Sequence, residues 1–244
     1  LAAYREILVA NNEVSVKSVL NKVSTLFTGN RGLTGEILEA LEKAVAASVA
    51  GIQGFDIETK VLLACDVSGS MQTPVSPKSK ILLYDIGLML AMLLLSKCKN
   101  VEVGMFGDTW KTIAVPKNNI LSNVQEFYKR EGEVGYSTNG YLVIKDLLNR
   151  KQRMDKVMMF TDLQLWNSNQ DGGHLQSLWL QYKAEVASEA RLYLFDLKGY
   201  GQAPLQALQN DVFLIADWSD KVFGVLDALE RGTTAIEEIE KTTL

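Results

Sequence analysis

Cysteine is scarce in this chain, with two residues among 244, and only Cys65 and Cys98 carry a thiol. The strand and helix expected around them run antiparallel, which puts the two thiols toward opposite ends of a sheet. Both are expected to stay reduced in the core of an intracellular, cytoplasmic protein. Long apolar runs are also missing. The longest, residues 88–95, is far too short to span a bilayer and suits a buried helix. No basic segment followed by an apolar stretch opens the chain as a secretory signal would. It starts at Leu1 rather than Met, so further sequence upstream is expected. Positive charge is not in excess. At a net charge of −4 there is no global pull toward nucleic acid or anionic membrane, and phosphate binding would need a local basic patch. Nucleotide-binding loops are absent too: neither Gly-x-x-x-x-Gly-Lys-Ser/Thr nor Gly-x-Gly-x-x-Gly follows an expected strand. The one histidine, His174, follows Asp171-Gly172-Gly173 near an expected helix start. A loop or capping role suits it better than that of a general base.

What is present describes an ordinary soluble globular protein, with 47% apolar and 22% charged residues. The length allows one large domain, or one domain with an appendage. Residues 1–9, 14–27 and 34–49 show helical spacing, with Thr28-Gly29-Asn30-Arg31-Gly32 as a breaker cluster. Residues 1–54 are therefore expected to form a helical appendage, the tail of an upstream domain. From residue 60 strand and helix alternate. Strands are expected at 61–65, 101–106, 110–115, 157–161, 192–195 and 212–215. Helices are expected at 80–97, 116–129, 141–149, 174–190, 204–209 and 221–231. That alternation predicts an α/β fold: a doubly wound, mostly parallel sheet with helices on both faces. The turn Gly107-Asp108-Thr109 adds one antiparallel edge strand. The α/β domain is expected over 55–233, with 234–244 as a tail.

The stretch Val61-Leu62-Leu63-Ala64-Cys65-Asp66-Val67-Ser68-Gly69-Ser70 organises the rest. A continuous apolar run marks a strand buried on both faces, and it ends abruptly in a carboxylate and two hydroxyls. In open α/β sheets ligands bind in the crevice at such strand ends. Asp66, Ser68 and Ser70 are hard oxygen donors, suited to Mg²⁺ or Mn²⁺ rather than to a soft metal. The same residues also suit a turn in which they only cap backbone amides. Two further segments bring oxygens to the same side of the sheet. Thr138 lies in the loop Gly135-Tyr136-Ser137-Thr138-Asn139-Gly140, and Asp162 follows its strand just as Asp66 follows the first.

Asp66-x-Ser68-x-Ser70, a loop Thr138 and a strand-end Asp162 together resemble the metal-ion-dependent adhesion site of a von Willebrand factor A domain. The chain is most similar to the C-terminal A-type domain of the Ro (TROVE) ribonucleoprotein family. LLACDVSGSM resembles the first metal motif, VGMFGDTW the second strand and hairpin, GYSTNGYLVIKDLL the threonine loop and VMMFTDLQLW the second aspartate motif. The ending, from RLYLFDLKGYGQAPL to VFLIADWSDKVFGVLDAL, is also similar, and the likeness runs over residues 35–231. It implies a divalent cation, Mg²⁺ first and Mn²⁺ or Ca²⁺ as alternatives, held by Asp66, Ser68, Ser70, Thr138 and Asp162. The implied partner is a protein offering an Asp or Glu carboxylate. Family members carry paired glycines where this chain has Tyr136-Ser137, so Ser137 and Thr138 both offer a hydroxyl; Thr138 is assigned. The upstream helical ring that the family associates with RNA has only about 50 residues' counterpart here, so RNA binding by that route does not carry over.

Other chemistries fit less well. An aspartyl-phosphate hydrolase needs a second acid two residues after its nucleophile, and that position is Ser68. A nucleophile elbow needs Gly-x-Ser-x-Gly, and Asp66 and Ser70 flank Ser68 instead. No catalytic residue or organic cofactor is assigned, and the chain is expected to be a monomeric, non-enzymatic module. A metal-dependent hydrolase remains one alternative. Direct RNA binding through Arg150-Lys151-Gln152-Arg153 with Lys156 is the other, although such a run is usually a solvated face. Asp85 and Asp108 are left outside the site, the first as a hydrogen-bonded acid on a helix and the second as a hairpin residue.

Overall fold

The computed structural model describes residues 28–49, 59–163, 171–199, 211–216 and 222–230. The helices expected at 1–9, 14–27 and 204–209 lie outside the described residues. Helix α1 (Thr28–Val49) is followed by strand β1 (Lys60–Asp66), helix α2 (Leu83–Lys97), and the hairpin of β2 (Asn100–Phe106) and β3 (Trp110–Thr112). Then come α3 (Ile120–Arg130), α4 (Tyr141–Arg150), β4 (Lys156–Thr161), α5 (Asp171–Glu185), β5 (Arg191–Asp196), β6 (Val212–Ile215) and α6 (Val222–Glu230). Short 3₁₀ turns occupy Gly69–Gln72 and Glu131–Glu133.

The sheet order is β3-β2-β1-β4-β5-β6, with every pair parallel except β2–β3. The expected doubly wound sheet with one antiparallel edge is therefore the observed fold. Strand period 2 explains why β1 is apolar throughout. Val61, Leu63 and Cys65 join the apolar layer under α2, α3 and α6, whereas Leu62 and Ala64 join the one under α4 and α5. β4 divides the same way, Met158 and Phe160 to the first layer, Val157 and Met159 to the second.

Several boundaries differ from the sequence expectation: the helix expected at 116–129 begins at Ile120, the one expected at 174–190 spans Asp171–Glu185, and three more differ as follows. Thr28-Gly29-Asn30-Arg31-Gly32 does not break α1, which is continuous over 22 residues. Each glycine costs a helix about 1 kcal/mol, which neighbouring turns can override. The strand after the hairpin ends at Thr112 rather than 115, with the Ile113 N–H on the Val103 carbonyl as its last bond. Helix α2 begins at Leu83 rather than 80. The chain before it folds back, with the Val75 N–H on the Ile81 carbonyl, and Asp85 Oδ2 accepts the Leu82 N–H at 2.9 Å.

Helix α1 packs on α2 and α3. Glu42 supplies a polar contact: its carboxylate accepts the N–H groups of Leu121 at 2.9 Å and Ser122 at 3.1 Å, two donors in the first turn of α3. Both cysteines are buried and free. Burial pushes the Cys65 thiol well above its usual range and that of Cys98 up to about 11.

Candidate metal centre

Strand β1 connects through α2 to β2 on one side, while β4 lies on its other side, so the chain reverses direction across the sheet between β1 and β4. The crevice at that point, at the carboxyl ends of the strands, is where open α/β sheets place ligands. Asp66 and Asp162 stand at those two strand ends, 1% and 0% exposed.

Asp66 is a hub. Its Oδ1 accepts the Ser68 N–H at 2.8 Å, which curls the first loop back onto its own carboxylate. Its Oδ2 accepts the Thr161 hydroxyl at 2.6 Å, a length typical of a hydroxyl donating to an ionised oxygen. Ser68 and Ser70 place their hydroxyl oxygens 3.1 Å apart. The Gly69 N–H, between the two serines, donates to the Tyr136 carbonyl at 3.1 Å and ties the first loop to the threonine loop. The 107–109 turn closes the other side of that loop, because Asn139 N–H donates to the Gly107 carbonyl at 3.1 Å. Thr138 is half-buried in this clasp. Three chain segments far apart in sequence therefore meet through backbone and side-chain hydrogen bonds.

The electrostatics are those of crowded acids. Burial pushes the Asp66 carboxyl up to about 7; the bonds from Thr161 and Ser68 pull it down, and the charge of Asp162 adds to the upward push. A cation between the two acids would reverse both upward effects. Among the described residues no three His, Cys, Asp or Glu side chains gather in a metal-binding group, so an ion here would rely on hydroxyls beside the two carboxylates. Leu163, immediately after Asp162, is buried with φ at 56°, and its N–H bonds to Thr161 Oγ1 at 3.2 Å. A left-handed leucine is strained, and such strain collects at functional sites.

Two residues that contribute here were not assigned from the sequence. Thr161 precedes Asp162 in the VMMFT strand, and its role follows only once β4 is known to pair with β1, with Cys65 opposite Phe160. Asp108 reads as a hairpin residue, yet its Oδ1 accepts the Ser137 N–H at 3.0 Å, and bonds from Ser137 hold it below the usual carboxylate range. Asp85 is a helix cap, as its position on a helix suggested. Trp179 is 2% exposed and bonds Asp211 Oδ2 at 3.0 Å, a packing role.

The basic run between α4 and β4 is exposed to solvent, and each of its cations pairs with an acid. Arg150 pairs with Glu102 and Asp146, Lys151 with Glu185, and Arg153 with Asp155 at 3.6 Å. Lys156 is 5% exposed. No helix among the described residues is long and apolar enough to cross a membrane.

A parallel, doubly wound sheet with an antiparallel edge and a carboxylate–hydroxyl loop at its switch point defines a von Willebrand factor A-type domain. The chain belongs to the Ro60 vWA domain family, whose profile matches residues 60–220. Among solved structures it is similar to the Ro (RSR) protein of Deinococcus radiodurans, at 19% identity and a TM-score of 0.64. That match covers 82% of this chain and 39% of the Deinococcus protein, so the chain spans well under half of that relative's length. Weaker likenesses, each with a TM-score of 0.45, are to an aerotolerance-related membrane protein of Bacteroides fragilis (13% identity) and to the conserved hypothetical protein BatB of Bacteroides thetaiotaomicron (14%). They cover 72% and 75% of this chain, respectively, and 100% of each matched chain. No curated protein sequence matches the chain.

Proposed function

We propose that the chain is a cation-dependent docking module, binding a protein partner through a divalent ion at the carboxyl end of its sheet. Ser68, Ser70 and Thr138 supply three neutral hydroxyls, and Asp66 and Asp162 supply charge, directly or through water. Mg²⁺ takes six oxygens in a near-octahedral array and keeps several waters, which suits a donor set poor in charge, with Mn²⁺ or Ca²⁺ as alternatives. The observation that carries the reading is the Asp66 hub, a buried acid beside a second buried acid, with two hydroxyls curled onto its loop.

Hydroxyl ligands leave the ion incompletely neutralised, so an Asp or Glu carboxylate of the partner gains by completing the shell. Thr138 is favoured over Ser137 as the third hydroxyl because Thr138 is half-buried between the loops whereas Ser137 is exposed. The module is non-enzymatic in this reading, since its donors gather at an ion rather than around a nucleophile. By likeness to the Ro proteins it serves a cytoplasmic ribonucleoprotein, contributing protein docking rather than the phosphate contacts. The pairing of the 150–153 cations with acids supports that division of labour. Calorimetric titration with Mg²⁺ and Mn²⁺ tests the site. Wild type is expected to bind one ion and Asp66→Ala none, and equal binding by both would reject the reading.

A further inference from the structure

The turn of the β2–β3 hairpin reaches the loop that carries Thr138 and holds it on both sides of that residue. Asp108 Oδ1 accepts the Ser137 N–H at 3.0 Å, and the Gly107 carbonyl accepts the Asn139 N–H at 3.1 Å. Asn139 Nδ2 adds a bond to the Asp108 carbonyl at 3.3 Å, and the Thr109 N–H donates to the Val134 carbonyl at 3.0 Å. Residues 137 and 139 are both fixed to the turn, and Thr138 stands between them. The approach is close. A Cβ on Gly107 would fall 2.1 Å from the Gly135 carbonyl oxygen, and one on Gly135, whose φ is +74°, would fall 2.0 Å from Asp108 Oδ2.

We infer that Asp108 is a positioning residue for the cation site: by holding the Ser137 N–H it fixes the backbone on which the Thr138 hydroxyl turns toward Ser68 and Ser70. This rests on the docking-module reading above. Asp108 is not itself a ligand in this reading, because it is exposed and its Oδ1 already accepts the Ser137 N–H. A neutral hydroxyl is a weak ligand, useful only when it is already aimed. A loop that must be ordered at the moment of binding subtracts that ordering from affinity. Removing a partner that orients a ligand typically costs about 10–100-fold in metal affinity.

The test uses the full chain and four proteins: wild type, Asp108→Ala, Asp108→Asn and Ser137→Ala. Mn²⁺ binding is followed by the loss of the free-ion electron paramagnetic resonance signal. Amide hydrogen exchange over residues 134–140 and thermal unfolding are recorded without metal. Asp108→Ala is expected to weaken Mn²⁺ about 10–100-fold and to speed exchange at residues 137–139, with the unfolding midpoint unchanged because the side chain is at the surface. Asp108→Asn keeps an acceptor oxygen and should restore most of the affinity. Ser137→Ala should bind Mn²⁺ within a few-fold of wild type.

Wild-type affinity in Asp108→Ala overturns the inference, as does loss of binding in Ser137→Ala or an Asp108→Asn protein as weak as the alanine variant. Absence of Mn²⁺ binding by wild type rejects the cation site and this inference together, so the two failures are distinguishable.

Discussion

Thr161 Oγ1 donates to Asp66 Oδ2 at 2.6 Å, joining the ends of β4 and β1 between residues 95 apart in sequence. The donor is fully buried and the acceptor 1% exposed, so water cannot replace the bond if either is removed. Thr161→Val, nearly the same shape, leaves the carboxylate short of a donor and is expected to cost about 1.5–3 kcal/mol. Urea unfolding checks this, with a smaller loss for Thr161→Ser. A valine variant as stable as wild type would mean that the bond contributes nothing net.

Asp162→Asn separates the two states of the site. Without divalent ion the substitution removes a like charge whose presence raises the Asp66 carboxyl, so stability should hold or rise. With Mg²⁺ in excess, wild type should gain stability by mass action while the variant gains little. Thermal unfolding in chelator and in Mg²⁺ measures both arms, and a similar Mg²⁺ response in the two proteins would contradict the expectation.

Glu133 provides a pH dependence away from the site. Hydrogen bonds from Arg130 and Lys111 hold its carboxyl down at about 2, below the ordinary 4.5. A lowered acid contributes stability that is present above its unfolded value and is lost as pH falls through its folded one. The Lys111–Glu133–Arg130 cluster should therefore stay intact at neutral pH and lose its contribution between 4.5 and about 2. An NMR titration of the Glu133 carboxyl should place the midpoint near the lower limit and show it rising with salt, because the group is at the surface.

Glu42→Ala should release α1 from α3. The carboxylate accepts two amides of the α3 first turn, and truncating such a cap costs about 1 kcal/mol. Limited proteolysis should cut between α1 and β1 sooner in the variant, with Glu42→Gln intermediate because its amide oxygen still accepts. Unchanged proteolysis and unfolding would show that apolar contacts such as Val45 on the core hold the helix alone.

Much of the fold could be read from local patterns. The runs at 61–65 and 157–161 are unbroken because each strand is covered by helices on both faces, the pattern of a parallel, doubly wound sheet. Element ends were less readable. Helix α2 starts late because Asp85 caps Leu82 and the preceding loop folds back, and β3 pairs with β2 only from Trp110 to Thr112. Asp66, Ser68, Ser70, Thr138 and Asp162 stood out as oxygen-bearing loops after apolar strands. Thr161 and Asp108 did not, because each acts on a residue brought near only by folding.

The sequence by itself determined which stretches are strands and helices, where they turn polar, and which oxygens lie at those ends, since each depends on neighbours a few residues away. Only the tertiary structure decided that β4 lies beside β1, that the hairpin turn clasps the 134–140 loop, and that every cation of the 150–153 run meets an acid. Those relations depend on strand order and close approach across the sheet, and no local periodicity encodes them.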